Sequence, residues 1–238
     1  MKNIYTDIVS AKLQGSKLLA ILIDPDKIVT DDIHSIASKI KNSPATHIFV
    51  GGSEVFSNKV DSIISSLKDY LDIPIVLFPG NPSQISAFAD GILFLSLISG
   101  RNPDYLIGHQ VEAAPILKSM NLEVIPTGYI LVESGRSTAV ETVSKTSPLS
   151  VTDPNKILHT AQAGELSGKK LIYLEAGSGA ENSVPTVIIQ MVSSGIDIPL
   201  VVGGGIKTKA GISAAWKSGA DLVVIGTAFE NDYTFFET

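Results

Sequence analysis

The sequence predicts an α/β chain closed into a single (β/α)8 (TIM) barrel spanning residues 1–238, with an abbreviated or missing third helix. Three observations carry that prediction. Short aliphatic, β-rich runs recur eight times along the chain; segments with helical spacing lie between most of them; and no second compositional regime, linker or low-complexity tract interrupts the pattern. The 238 residues suit one barrel, since such folds commonly run to about 250. Hydrophobic residues make up 44% of the chain and charged residues 18%, the latter below the ~25% usual for soluble domains. Parallel strands covered on both faces produce that bias.

The runs are Leu18–Ile23, His47–Val50, Ile75–Phe78, Ile92–Leu97, Glu123–Leu131, Lys170–Glu175, Leu200–Val202 and Leu222–Ile225. Each ends in a polar or glycine-bearing turn. Between them, 31–40 places Ile33, Ile36, Ala37 and Ile40 on one helical face, and 60–71 does the same with Ile63, Ile64, Leu67 and Leu71. Further helices are expected over 105–120, 155–166, 184–194 and 209–218. The link from Phe78 to Ile92 is too short for a full helix. The link from Val132 to Pro154 is long and rich in Ser, Thr, Gly and Pro, as lids and binding loops are. An open doubly wound sheet is the alternative architecture.

Bulk chemistry removes several function classes. The net charge is −6, with no basic stripe, which excludes nucleic-acid binding. There is no cysteine, hence no disulfide, thiolate nucleophile or Cys-ligated zinc. The opening residues lack a signal-peptide pattern, and no apolar run reaches membrane-spanning length, so a cytoplasmic protein without a transmembrane segment is expected. The four histidines, at 34, 47, 109 and 159, have no metal-ligand spacing.

A barrel's chemistry sits at the C-terminal ends of its strands. After strands seven and eight stand Gly203-Gly204-Gly205-Ile206-Lys207 and Ile225-Gly226-Thr227-Ala228. Paired turns at those two strands are a recurrent phosphate grip, because glycine lets backbone N–H groups approach the anion closely. Tight turning alone would also explain glycine there. Asp24 ends the first strand and is a candidate Mg2+ ligand, the competing role being a helix cap supplied by Asp26 or Asp31. Ser53, in Gly51-Gly52-Ser53, could add a hydroxyl ligand. Strand alternation turns Tyr173 and Glu175 to the barrel interior, where Glu175 could accept a substrate proton or simply brace the barrel layers. Gly177-Ser178-Gly179 adds a third anion-friendly turn. Lys207 and Lys209 fall past the strand end, which argues against Schiff-base chemistry.

Taken together, Ile21–Lys27 (ILIDPDK), Val50–Ser53 (VGGS), Tyr173–Ala180 (YLEAGSGA), Val202–Lys207 (VGGGIK) and Ile225–Glu230 (IGTAFE), with Phe78–Pro82 (FPGNP) and Ser99–Pro103 (SGRNP) between them, resemble the geranylgeranylglyceryl phosphate synthase family and its bacterial heptaprenylglyceryl counterparts. The resemblance runs the length of the chain. It implies Mg2+-dependent transfer of a long prenyl group from its diphosphate to the C3 hydroxyl of sn-glycerol 1-phosphate. Asp24 and Ser53 would then hold Mg2+. Tyr173, Leu174, Glu175, Ala176, Gly177, Ser178 and Gly179, with Gly204, Gly205, Gly226 and Thr227, would bind glycerol phosphate. Glu175, with Tyr173, would be catalytic. The shortened third crossover would open an apolar groove for the prenyl chain, lined by small residues such as Gly80, Ser86, Ala87 and Ala89. A homo-oligomer (dimer or hexamer) and transient membrane contact for product release are further expectations. A sugar-phosphate isomerase or aldolase using the same phosphate site is the rival reading.

Overall fold

A computed structural model of the chain describes residues 3–28, 32–52 and 59–237. Eight parallel strands, β1 (Leu18–Ile23), β2 (His47–Val50), β3 (Ile75–Leu77), β4 (Gly91–Leu97), β5 (Glu123–Leu131), β6 (Leu171–Glu175), β7 (Leu200–Gly203) and β8 (Leu222–Ile225), close in sequence order into one barrel. The closing pair, β8 with β1, aligns Leu222 with Leu18 and Ile225 with Ile21. The open-sheet alternative is thereby excluded.

Before β1 lies a helix absent from the sequence reading, α1 (Ile4–Gln14), which ends at Gly15 in the left-handed region. It stoppers the N-terminal end of the barrel. Ile4 and Ile8 are buried with the inward-facing Ala20, Leu93, Ile125, Leu171 and Leu222, and such burial stabilises by roughly 1.5–3 kcal/mol per side chain. The Glu123 carboxylate accepts the N–H groups of Ile4 and Tyr5 at 2.6 and 2.9 Å. Buried Asp221 accepts from the Leu200 N–H at 2.9 Å and pairs with Lys12 at 3.2 Å, tying α1 to the barrel floor.

The outer layer comprises α2 (Ile33–Lys41), α3 (Val60–Lys68), α4 (His109–Lys118), α5 (Ala139–Ser144), α6 (Pro154–Leu166), α7 (Thr186–Gly195), α8 (Lys209–Lys217) and α9 (Thr227–Asn231). The third crossover holds only a 3-10 turn, Pro82–Gln84, as expected: Pro79, Gly80 and Pro82 oppose a helix, and the Asn81 side chain closes the turn by accepting from Ser83 N–H at 2.9 Å. The helix expected from residue 105 begins instead as a π-helical turn, Asp104–Gly108, before α4. The long link after Val132 is ordered. It carries α5 and a short parallel bridge between Val132 and Leu149. Trp216 on α8 donates its indole N–H to the Leu18 carbonyl at 3.0 Å. Among the described residues, no helix is long and apolar enough to cross a membrane.

Candidate active site

The strand ends open on a cavity of about 790 Å3, bordered by Asp24, Gly52, Tyr173, Glu175, Gly177, Ser178, Gly179, Gly204, Gly205, Gly226 and Thr227. Most of the site residues expected from sequence therefore meet in one place. Leu174 and Ala176 are buried in the wall behind it, as strand alternation requires. Ser53 and Asp31 lie outside the described residues.

Beneath the cavity four aromatic rings form a floor. Phe78 stacks on Tyr173 with centroids 5.3 Å apart, Tyr129 meets Tyr173 edge-on at 5.4 Å, and Phe49 stacks on Phe78 at 6.3 Å. The β5–β6 register pairs Tyr129 with Tyr173 and Leu131 with Glu175, so both tyrosines point inward at the same level and the carboxylate stands one layer above them. Burial, together with the nearby Glu175 charge, holds both phenols well above their ordinary range, and they remain proton donors. The Tyr173 hydroxyl is buried without a hydrogen-bond partner among the described residues. It lies beside the Glu175 carboxylate closely enough to favour its ionised form without a well-aligned hydrogen bond to it.

Glu175 itself is buried, and desolvation raises its pKa to about 7, against the opposing pull of the Gly177 N–H and Tyr173. The Gly177 N–H donates to its Oε1 at 2.6 Å. A carboxyl group at that pKa is partly ionised at neutral pH and can take up a proton.

The glycines around it separate into two kinds. Gly204 (φ +79°) has no room for a Cβ, which would run into Glu175 Oε1 and come within 2.8 Å of the Ala176 nitrogen. A Cβ at Gly205 would come within 2.6 Å of the Asn182 carbonyl oxygen. The protein's own packing demands these two. Gly226 differs: its φ is −124°, and a Cβ there would meet only Leu22 at 3.5 Å. No described atom crowds that position beyond ordinary contact with Leu22, so the space beside Gly226 is open to a ligand. The N–H groups of Gly204, Gly205 and Thr227 find no acceptor among the described residues, and all three residues border the cavity, where such groups can serve as anion donors.

Across the mouth, Asp24 Oδ1 accepts from the Asp26 N–H at 3.1 Å, and Oδ2 lies 3.4 Å from Lys27 Nζ. Lys27 also pairs with Glu230 at 2.9 Å. Partial burial works against the Lys27 charge, but the Glu230 hydrogen bond and the two carboxylates outweigh it and raise its pKa. Among the described residues no trio of His, Cys, Asp or Glu is placed to hold a metal. The Asp24 carboxylate at an open mouth still fits Mg2+, which takes oxygen ligands and commonly draws most of them from substrate phosphates and water.

A second, apolar cavity of about 90 Å3 leaves the mouth between the third crossover, β4 and α4. Gly52, Phe78, Tyr129 and Val140 line both cavities, so the two adjoin. Gly80 lines this groove as expected, together with Ile85, Phe94, Tyr105 and Ala113. Ser86, Ala87 and Ala89 do not. Ala87 points to solvent, while Ser86 and Ala89 are buried away from the groove. The crossover turns after Gln84, which carries these three past the groove wall. Tyr129, Phe78, Val140 and Lys27 are site residues that sequence reasoning left without a role.

The chain matches the model of the PcrB family over residues 12–237. It is 59% identical over 238 residues to a geranylgeranylglyceryl phosphate synthase of Flavobacterium johnsoniae, covering 100% of this chain and 98% of that one. The corresponding enzyme of Thermococcus kodakarensis is 39% identical over 223 residues, 93% of this chain and 88% of its own. The crystal structure of (S)-3-O-geranylgeranylglyceryl phosphate synthase from Thermoplasma acidophilum in complex with sn-glycerol-1-phosphate superposes with a TM-score of 0.93 at 34% identity, covering 100% of this chain and 95% of that one.

Proposed function

The chain belongs to the PcrB family, and from that premise we propose that it is a prenyltransferase joining a long-chain prenyl diphosphate to the C3 hydroxyl of sn-glycerol 1-phosphate, giving a prenylglyceryl phosphate ether and diphosphate. The observation that carries the reading is the buried Tyr173 hydroxyl beside a Glu175 carboxyl whose pKa is about 7, both set between glycine turns whose N–H groups find no acceptor among the described residues. A polyol phosphate fits that arrangement, its phosphate on the Gly204, Gly205 and Thr227 N–H groups and its hydroxyls toward Tyr173 and Glu175.

The step balances without further reactants. The C3 hydroxyl oxygen forms a bond to the first carbon of the prenyl chain, that carbon's bond to the diphosphate oxygen breaks, and the hydroxyl proton passes to Glu175. Held at the mouth, the two substrates react as one assembly, and orientation lowers the barrier. The π faces of Phe78, Tyr129 and Tyr173 favour positive charge developing on the allylic carbon. Asp24 is the residue that would hold Mg2+, and the ion supplies neutralisation of the leaving diphosphate. The apolar groove between the third crossover and α4 takes the chain. Exposed Ile107, Val111 and Ile116 on the outer face of that same helical segment support self-association.

The direct test supplies labelled glycerol 1-phosphate, Mg2+ and prenyl diphosphates of increasing length, and extracts the product into organic solvent. A labelled phosphate ether is expected. No ether with any donor, alongside turnover of a triose or pentose phosphate, would overturn the reading.

A further inference from the structure

Between β5 and α5 the chain runs as a strap across the Gly177–Gly179 turn, and two contacts fix its course. The Ser134 carbonyl accepts the Asn182 N–H at 3.0 Å. Thr138, buried at 5% exposure, packs its methyl group on Gly177 where a Cβ would otherwise stand. Arg136 lies between these anchors. Its Nη2 comes within 2.7 Å of where a Cβ of Gly179 would be, so the guanidinium rests on the face of that turn. Gly179 and its neighbours Gly177 and Ser178 border the mouth, and so do Ala139 and Val140 at the far end of the strap.

The other cations at the mouth are engaged. Lys27 is shared between Asp24 and Glu230, and Lys207 donates to the Glu181 carbonyl at 2.9 Å. The Arg136 guanidinium has no ion pair and no acceptor among the described residues. A planar fork of donors that lacks a partner and is carried to the rim of an anion site suits a phosphate.

We propose that Arg136 is a further substrate-contacting residue, which closes on the phosphate of the acceptor and selects a phosphorylated over an unphosphorylated polyol. This rests on the acceptor reading given above. Its place over the β6 turn assigns it to the acceptor and not to the diphosphate across the mouth near Asp24.

Calorimetric binding of glycerol 1-phosphate and steady-state kinetics in both substrates test this on Arg136→Ala and Arg136→Lys. For Arg136→Ala the acceptor KM is expected to rise about tenfold with kcat nearly unchanged and the donor KM unaltered. Selectivity for glycerol 1-phosphate over glycerol should fall by the same factor, and Arg136→Lys should recover part of it. If the alanine variant melts well below wild type, Arg136→Gln carries the test with the same expected rise. An unchanged acceptor KM, or an equal rise for both substrates, overturns the role of Arg136 and leaves the acceptor reading standing. Failure of the wild-type protein to bind glycerol 1-phosphate overturns both.

Discussion

Across the mouth of the barrel, the β6–β8 side presents backbone and the β1–β4 side presents side chains. Around Glu175 the turns are locked: Gly204 is held clear by the carboxylate, Gly205 by the Asn182 backbone, and Gly177 by Thr138. Opposite, Asp24 and Asp26, a lysine shared with Glu230 and an apolar groove leave room for ligands of varied length. On the proposed reaction, that contrast means that one substrate is held in a fixed pose and the other accommodated. A small polar acceptor whose oxygen must meet a base within hydrogen-bond reach needs the first kind of site, and a long flexible donor needs the second.

Breaking the locked side should have the largest effect. Gly204→Ala adds a Cβ at a positive φ and drives it into Glu175, so turnover should fall by more than about 10^3-fold and the melting temperature should drop, as strain of about 1–3 kcal/mol requires. Near-normal kcat in a purified variant would show that Glu175 is not held by this turn. Asp24→Ala, on the open side, should lower turnover by about 10^2-fold, with loss of Mg2+ activation but little change in acceptor affinity measured by calorimetry. Gly226→Ala comes next, because a Cβ there meets only Leu22, in ordinary van der Waals contact. Melting should be unchanged while the acceptor KM rises by about tenfold, and a stability loss instead would make Gly226 a packing glycine like Gly205. The smallest effect is expected in the groove. Ala113→Phe should shift the preferred donor a few-fold toward shorter chains, and an unaltered chain-length profile would place the prenyl group elsewhere.

The barrel was legible because its strands are continuous aliphatic runs that no other element mimics, and because glycine and carboxylate punctuate their ends. Tyr173 and Glu175 were legible together through strand alternation alone. Other features depend on closure. Nothing local pairs Tyr129 with Tyr173; only the β5–β6 register sets the two side by side. Arg136 and Thr138 lie some forty residues before the turn they cover, with no local signal of that contact. An apolar groove does open at the third crossover, bordered by Gly80 but not by Ser86, Ala87 or Ala89, because a 3-10 turn reorients the chain after Gln84 in a way that composition does not encode. For α1 a signal existed: Ile4, Ile8 and Ala11 follow helical spacing and are its buried face.

The central claim is that Glu175, desolvated between the glycine turns, takes the acceptor's proton. A buried carboxyl with pKa about 7 is protonated and idle below that pH, and it becomes a competent base as pH rises through it. Glu175→Gln keeps the shape and removes the base. The measurement is the ratio of wild-type to Glu175→Gln turnover from pH 5.5 to 8.5, which cancels the ionisation of the substrates. The ratio should climb with a midpoint near 7 and level off at about 10^2–10^4; a ratio that stays flat across this range, or a glutamine variant as active as wild type, would contradict it.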